Sequence, residues 1–192
     1  DNISDVTRLV NHLKLNNNEK KLQLTLPVIR KIPDVMREKD FKLTAVIERP
    51  VRDDSKSRII NVQAGDTTDR NYAIALDIGT TTISGQLVDL NTKRILGTKA
   101  TYNKQASFGS DIITRIIYAQ EADGLEKLHH VVIDGMNQMA QELIQEHQVD
   151  LNDVNCGLCA GNTTMVHLLL RVDPTYIRRE PYVPTANFVP TV

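Results

Sequence analysis

Two apolar, strand-prone runs, Tyr72-Ala73-Ile74-Ala75-Leu76 and Ile83 to Leu90, are separated only by Asp77-Ile78-Gly79-Thr80-Thr81-Thr82. A connection this short forces neighbouring strands joined by a tight turn. After the turn at Asn91-Thr92 a third strand, Arg94 to about Thr101, completes an antiparallel meander. Gly109-Ser110-Asp111 then starts a helix carrying Ile112, Ile113, Ile116 and Ile117. A longer helix follows, in which Leu125, Leu128, Val132, Met136, Met139, Leu143 and His147 recur at helical spacing, so its methionines read as core. Val154 to Ala160 reads as a fourth strand, Gly161-Asn162 as a turn, and Thr163 to Leu170 as a helix packed through Met165, Leu168 and Leu169. The segment from Asp173 holds four prolines, at 174, 181, 184 and 190, and closes no further periodic element.

The preceding stretch has a different make-up. Only Gly65 of the nine glycines lies before residue 70, and residues 1–70 carry 14 basic and 11 acidic side chains against 9 and 13 in residues 71–192. These shifts predict a boundary near residue 70. Ser4 can cap a helix with Val6, Leu9, Val10 and Leu13 on one face, ended by Asn16-Asn17-Asn18. Leu22, Leu24 and Leu26 alternate as a strand, a short helix is expected near Pro33-Asp34-Val35-Met36 with Pro33 at its first position, and strands follow at Leu43-Ala45-Ile47 and Ile59-Ile60-Val62. The result is a small α+β unit of three strands and two helices, ending in the turn-prone run Ala64 to Asp69.

Composition narrows the function. A net charge of −1, a pI near 6.6 and eight aromatics without Trp leave no basic or stacking surface for nucleic acid. Apolar runs are too short to span a membrane and the opening residues are not a signal peptide, so the expectation is a cytoplasmic chain. Cys156 and Cys159 cannot build a disulfide framework, and a separation of three places them on opposite strand faces, as buried small hydrophobes rather than a chelating pair.

The residues with chemistry lie in the turns. Asp77-Ile78-Gly79-Thr80-Thr81-Thr82 brings consecutive N–H groups and three hydroxyls to one place, which suits a phosphate; Gly79 permits close approach or positive φ, and Asp77 can hold hydrated Mg²⁺. The same residues also make an ordinary turn. Gly161-Asn162-Thr163 joins a strand end to a helix start and can bind an anion, or Asn162 or Thr163 can simply cap the helix. Asp111 has the same double reading, as cap or cleft acid, and His167, one turn into its helix, either approaches the cleft or is a partnered structural histidine.

The residues from about 72 onward resemble the first half of an actin-like, ribonuclease H-like ATPase domain of the ASKHA superfamily. More specifically, YAIALDIGTTTISGQLVDL, FGSDIITRI, AGNTTMVHLLL and PYVPTANFVP, in that order, resemble the reductive activators of corrinoid proteins, and DVMREKDFKLTAVI with INVQAGDTTDRNY resembles the small middle domain before the ATPase. The implied fold class is α/β: residues 1–70 form a linker helix and α+β middle domain, and residues 71–192 a truncated N-terminal ATPase lobe. The implied activity is ATP-driven reduction of Co(II) cobalamin to Co(I) on a partner corrinoid protein, with the electron coming from a 2Fe–2S cluster outside these residues. By the same resemblance Asp77 is the catalytic residue and positions Mg²⁺ through water, Gly79, Thr80, Thr81 and Thr82 hold the phosphates of ATP, and Gly161, Asn162 and Thr163 line the cleft. A homodimer through the middle domain is implied as well. Alone, this chain is expected neither to hydrolyse ATP efficiently nor to transfer electrons. Two other functions use the same residues, a sugar or carboxylate kinase and a non-enzymatic dimerisation or docking fragment.

Overall fold

The computed structural model describes residues 2–17, 21–49 and 56–187, so Asn18 and the end of PYVPTANFVP from Phe188 lie outside the described residues. The chain forms two units, Asp1–Asn71 and Tyr72–Val192, each with its own core.

In the first unit, α1 (Asp5–Asn17) starts where Ser4 Oγ accepts the Thr7 N–H at 3.1 Å. β1 (Leu22–Leu24) is followed directly by α2 (Leu26–Glu38), then β2 (Leu43–Glu48) and β3 (Ser57–Ala64). The sheet order is β1-β3-β2, with β1 parallel and β2 antiparallel to β3. Two expectations need correction. The strand at Leu22 and Leu24 does not reach Leu26, and the short helix at Pro33 is in fact 13 residues long, with Pro27 in the first turn and Pro33 inside it. The reason is the spacing of Val28, Ile32 and Met36, which puts one residue per turn into the core; that burial outweighs the N–H missing at Pro33. They meet Leu9 and Leu13 of α1 and Ile59 and Val62 of β3.

The second unit is a four-stranded mixed sheet in the order β6-β5-β4-β7. β4 (Tyr72–Ile78), β5 (Thr82–Asp89) and β6 (Arg94–Tyr102) form the antiparallel meander. The chain then crosses through α3 (Ile112–Tyr118) and α4 (Gly124–Glu146) to β7 (Val154–Gly161), which pairs parallel to β4, and enters α5 (Thr163–Leu170). Leu128, Val132, Met136, Met139 and Leu143 of α4 pack against Ile74, Leu76, Ile78, Ile83 and Leu87 of the sheet, so both methionines are core. Lys99 of β6 adds a clamp outside that core, reaching Glu142 at 2.8 Å and Glu146 at 2.7 Å on α4. Both units combine helices with a mixed sheet, an α/β architecture.

The cysteines do not behave as small core residues. Cys156 and Cys159 pair with Ala73 and Leu76 of β4, hence on opposite faces, but both are exposed, since the core of this unit takes no residue from positions 156–160 of β7. No helix among the described residues is long and apolar enough to cross a membrane.

Ile32 has no exposed surface, so Ile32→Ala is expected to lower the unfolding free energy by about 2–5 kcal/mol, measured by urea denaturation with circular dichroism.

Candidate functional site

β4 and β7 run parallel and end side by side, Ile78 opposite Gly161, so the turns that leave them open at the same edge of the sheet. The carboxyl ends of parallel strands are where α/β folds place ligands, because chain leaves the sheet there and exposes main-chain groups. Asp77, the penultimate residue of β4, is exposed at this end, between Ser84 of β5 and Ala160 of β7 in the ladder.

The turn from β4 to β5 is closed by the Gly79 N–H donating to Thr82 O at 3.0 Å. A Cβ on Gly79 would stand 2.6 Å from that same oxygen, so close approach, not positive φ, is why glycine is needed here. The next three carbonyls are each held from within the unit. Gly79 O accepts Asn103 Nδ2 at 2.8 Å, Thr80 O accepts Arg115 Nη2 at 2.7 Å, and Thr81 O accepts the Asn103 N–H at 2.8 Å. In a planar trans peptide the N–H points away from its carbonyl. Fixing these three carbonyls therefore turns the N–H groups of Thr80, Thr81 and Thr82 to the opposite side. Neither the Thr80 nor the Thr81 N–H donates to another described residue.

The second turn lies beside the first. Asn162 is the N-cap of α5, its Oδ1 accepting the Met165 N–H at 3.0 Å, and its Nδ2 makes a long 3.4 Å contact to Thr80 Oγ1. Capping one donor leaves the Thr163 and Thr164 N–H groups at the helix start, the positive end of its dipole. A Cβ at Gly161 would come within 3.1 Å of Ile78 O, so glycine allows the two strand ends to approach. The structure thus brings together Asp77, Gly79, Thr80, Thr81, Thr82, Gly161, Asn162 and Thr163. Such an edge, rich in main-chain donors, with hydroxyls and one exposed carboxylate, is suited to an anionic ligand carrying a hydrated cation.

The two remaining candidates are placed differently. Asp111 caps α3 in a reciprocal box: its carboxylate accepts the Thr114 N–H at 2.9 Å and Thr114 Oγ1 accepts the Asp111 N–H at 3.2 Å. That hydrogen bond holds its pKa below the usual aspartate value. His167 is buried, its Nδ1 2.7 Å from Thr163 O and its Nε2 facing the Ala186 N–H at 3.4 Å, which assigns it the structural role rather than the cleft. Sequence reasoning missed Asn103 and Arg115, both without exposed surface. The one available signal was a basic residue inside the apolar run Ile112-Ile113-Thr114-Arg115-Ile116-Ile117.

Because the Asp111 pKa is depressed in the folded state, its contribution is full above the unfolded aspartate pKa and is lost as pH falls through the folded value. Asp111→Ala is expected to lower the thermal midpoint at neutral pH, with the gap to the native protein closing in strong acid, as followed by pH-dependent thermal melts.

Comparison with known proteins gives these geometries a family. Residues 1–69 match the model described as RACo linker region and residues 72–192 the model described as RACo middle region. A curated relative, the corrinoid activation enzyme RamQ of Eubacterium limosum, is 33% identical over 113 residues, 58% of this chain and 19% of that protein. A solved structure, a reductive activator for corrinoid, iron-sulfur protein, is 39% identical and superposes with a TM-score of 0.82 over 99% of this chain and 30% of its own. The chain spans about a fifth of the curated relative and under a third of the solved one. By the match of both its segments, it belongs to the RACo family.

Proposed function

We propose that the protein of which these residues form part is an ATP-dependent reductive activator, acting on a corrinoid protein. Family membership supports the corrinoid partner, and the observation that carries the ATP reading is the outward set of Thr80, Thr81 and Thr82 N–H groups beside the start of α5. In this reading residues 72–192 are one lobe of an ASKHA ATPase, the Thr80 to Thr82 amides and Thr hydroxyls hold phosphate oxygens, and Gly161, Asn162 and Thr163 form the facing wall. Exposed Asp77 fits a water-mediated contact to Mg²⁺, a cation that keeps most of its hydration shell. Mg·ATP supplies the free energy of its hydrolysis to ADP and phosphate, and one electron converts Co(II) to Co(I).

The electron donor, a 2Fe–2S centre, does not fit this chain's own residues. The sequence has two cysteines, exposed on opposite faces of β7, and no group of three or more potential metal ligands occurs among the described residues. The donor is assigned to the rest of the polypeptide or to a partner. We further propose a cytoplasmic location and a homodimer assembled through residues 1–70. The kinase reading draws on the same turn, but the family favours the activator.

The test uses the full-length protein, isolated without oxygen and mixed with a corrinoid protein held as Co(II). The Co(II) paramagnetic signal should disappear only with a reductant and Mg·ATP together, and Asp77→Asn should slow this at least about tenfold, the usual cost of losing a group that orients a metal's ligands. Reduction at the same rate without ATP would refute the reading, as would phosphorylation of a small molecule with no response to the corrinoid protein.

A further inference from the structure

Arg115 is a buried cation without a buried anion. Its guanidinium has no exposed surface, yet among the described residues it forms no ion pair. Its contacts are to neutral groups from four segments: Nε donates to Gly109 O at 2.8 Å, Nη2 to Thr80 O at 2.7 Å, and Nη1 to Gln105 Oε1 at 3.3 Å and to Met165 Sδ at 3.6 Å. Asp111, the carboxylate that acts on it through space, is already engaged by the Thr114 N–H and faces solvent. A buried charge is costly even when its N–H groups are satisfied, and neutral amides already serve buried carbonyls beside it, Asn103 at Gly79 O and Gln105 at Leu128 O. Packing alone therefore gives no reason for the charge.

Its position does. Nη2 ends on the carbonyl of the 80–81 peptide, whose N–H, that of Thr81, points the opposite way. Drawing on that oxygen fixes the plane of the peptide and polarises it, so the Thr81 N–H becomes a stronger donor to whatever faces the turn. The same side chain reaches Met165 in the first turn of α5, so one planar fork holds the β4–β5 turn against the helix whose N-cap is Asn162. A buried guanidinium behind a row of main-chain donors is matched by a multiply charged anion in front of them.

Resting on the nucleotide reading above, we propose that Arg115 is the positioning residue of the polyphosphate site: from behind the turn it sets the 80–81 peptide for the ligand and supplies the buried positive charge that a di- or triphosphate compensates. Arg115 does not touch the ligand; it acts through the Thr80–Thr81 peptide.

The experiment compares full-length native protein with Arg115→Met and Arg115→Lys, measuring Mg·ATP and Mg·ADP affinity by calorimetry and thermal stability on the same samples. Arg115→Met keeps most of the volume but removes the charge and leaves the Gly109 and Thr80 oxygens without this donor, so a lowered midpoint is expected, and in protein still folded at the assay temperature the proposal expects affinity weakened at least about tenfold. Arg115→Lys keeps the charge but not the fork, and should fall between the two. In the cobalt-reduction assay with Arg115→Lys, KM for ATP should rise while kcat changes little, a split that general loosening of the fold does not produce. If Arg115→Met fails to fold, the Lys variant decides: a native-like fold with weakened affinity sustains the proposal, and native affinity overturns it. Native affinity in a folded Arg115→Met, with the native protein binding tightly, overturns the proposal and leaves the nucleotide reading standing. A native protein that binds neither nucleotide overturns both.

Discussion

Three carbonyl oxygens in succession, those of Gly79, Thr80 and Thr81, are held from inside the second unit by Asn103 and Arg115. A free turn would expose its oxygens and N–H groups to water without preference, and an anion would then have to align the donors as it bound. Here the alignment is made during folding, at the cost of burying an amide and a guanidinium completely. The turn therefore presents a face of N–H groups whose direction is fixed by peptide planarity. On the proposed nucleotide reading this is electrostatic preorganisation built from main chain, which would let the turn after Asp77 serve an anion with threonines and no charged side chain.

The rest of the unit serves that arrangement. Asn103 immediately follows β6, where its backbone continues the ladder onto Thr81 and its side chain turns back to Gly79. Arg115 arrives on α3, whose start is fixed by the Asp111 box. α4 spans the sheet so that β7 can return parallel to β4 and deliver Asn162 beside Thr80. Each tether is thus the end product of an element boundary, and the apolar core from Ile74 to Leu168 keeps those boundaries in register.

Much of this could be read from local pattern. The strand–turn–strand at Tyr72, the methionine-bearing stripe of α4 and the span of α5 all follow from periodicity and capping, which involve neighbours a few residues apart. Side-chain facing on β7 follows from strand parity, but burial does not, because what packs over the faces of a strand is decided by elements distant in sequence. α2 is longer than the expected helix because Pro33, a start signal by residue type, sits inside it, while Val28, Ile32 and Met36 mark the buried face on both sides of that proline. Asn103 and Arg115 were not visible as site residues, since they act across 24 and 35 positions of sequence, and long-range partners leave no local spacing. For the same reason His167 could be assigned only once Ala186 was seen against its ring.

On the proposed nucleotide reading, phosphates are received by main chain, on the side of the β4–β5 turn opposite Asn103 and Arg115. A crystal structure of the full-length protein with Mg²⁺ and a slowly hydrolysed ATP analogue tests it most directly. Phosphate oxygens are then expected about 2.7–3.2 Å from the nitrogens of two or more of Thr80, Thr81 and Thr82, with the Arg115 to Thr80 bond intact. Phosphates seated elsewhere, or a turn whose carbonyls have swung round to face them, would contradict it.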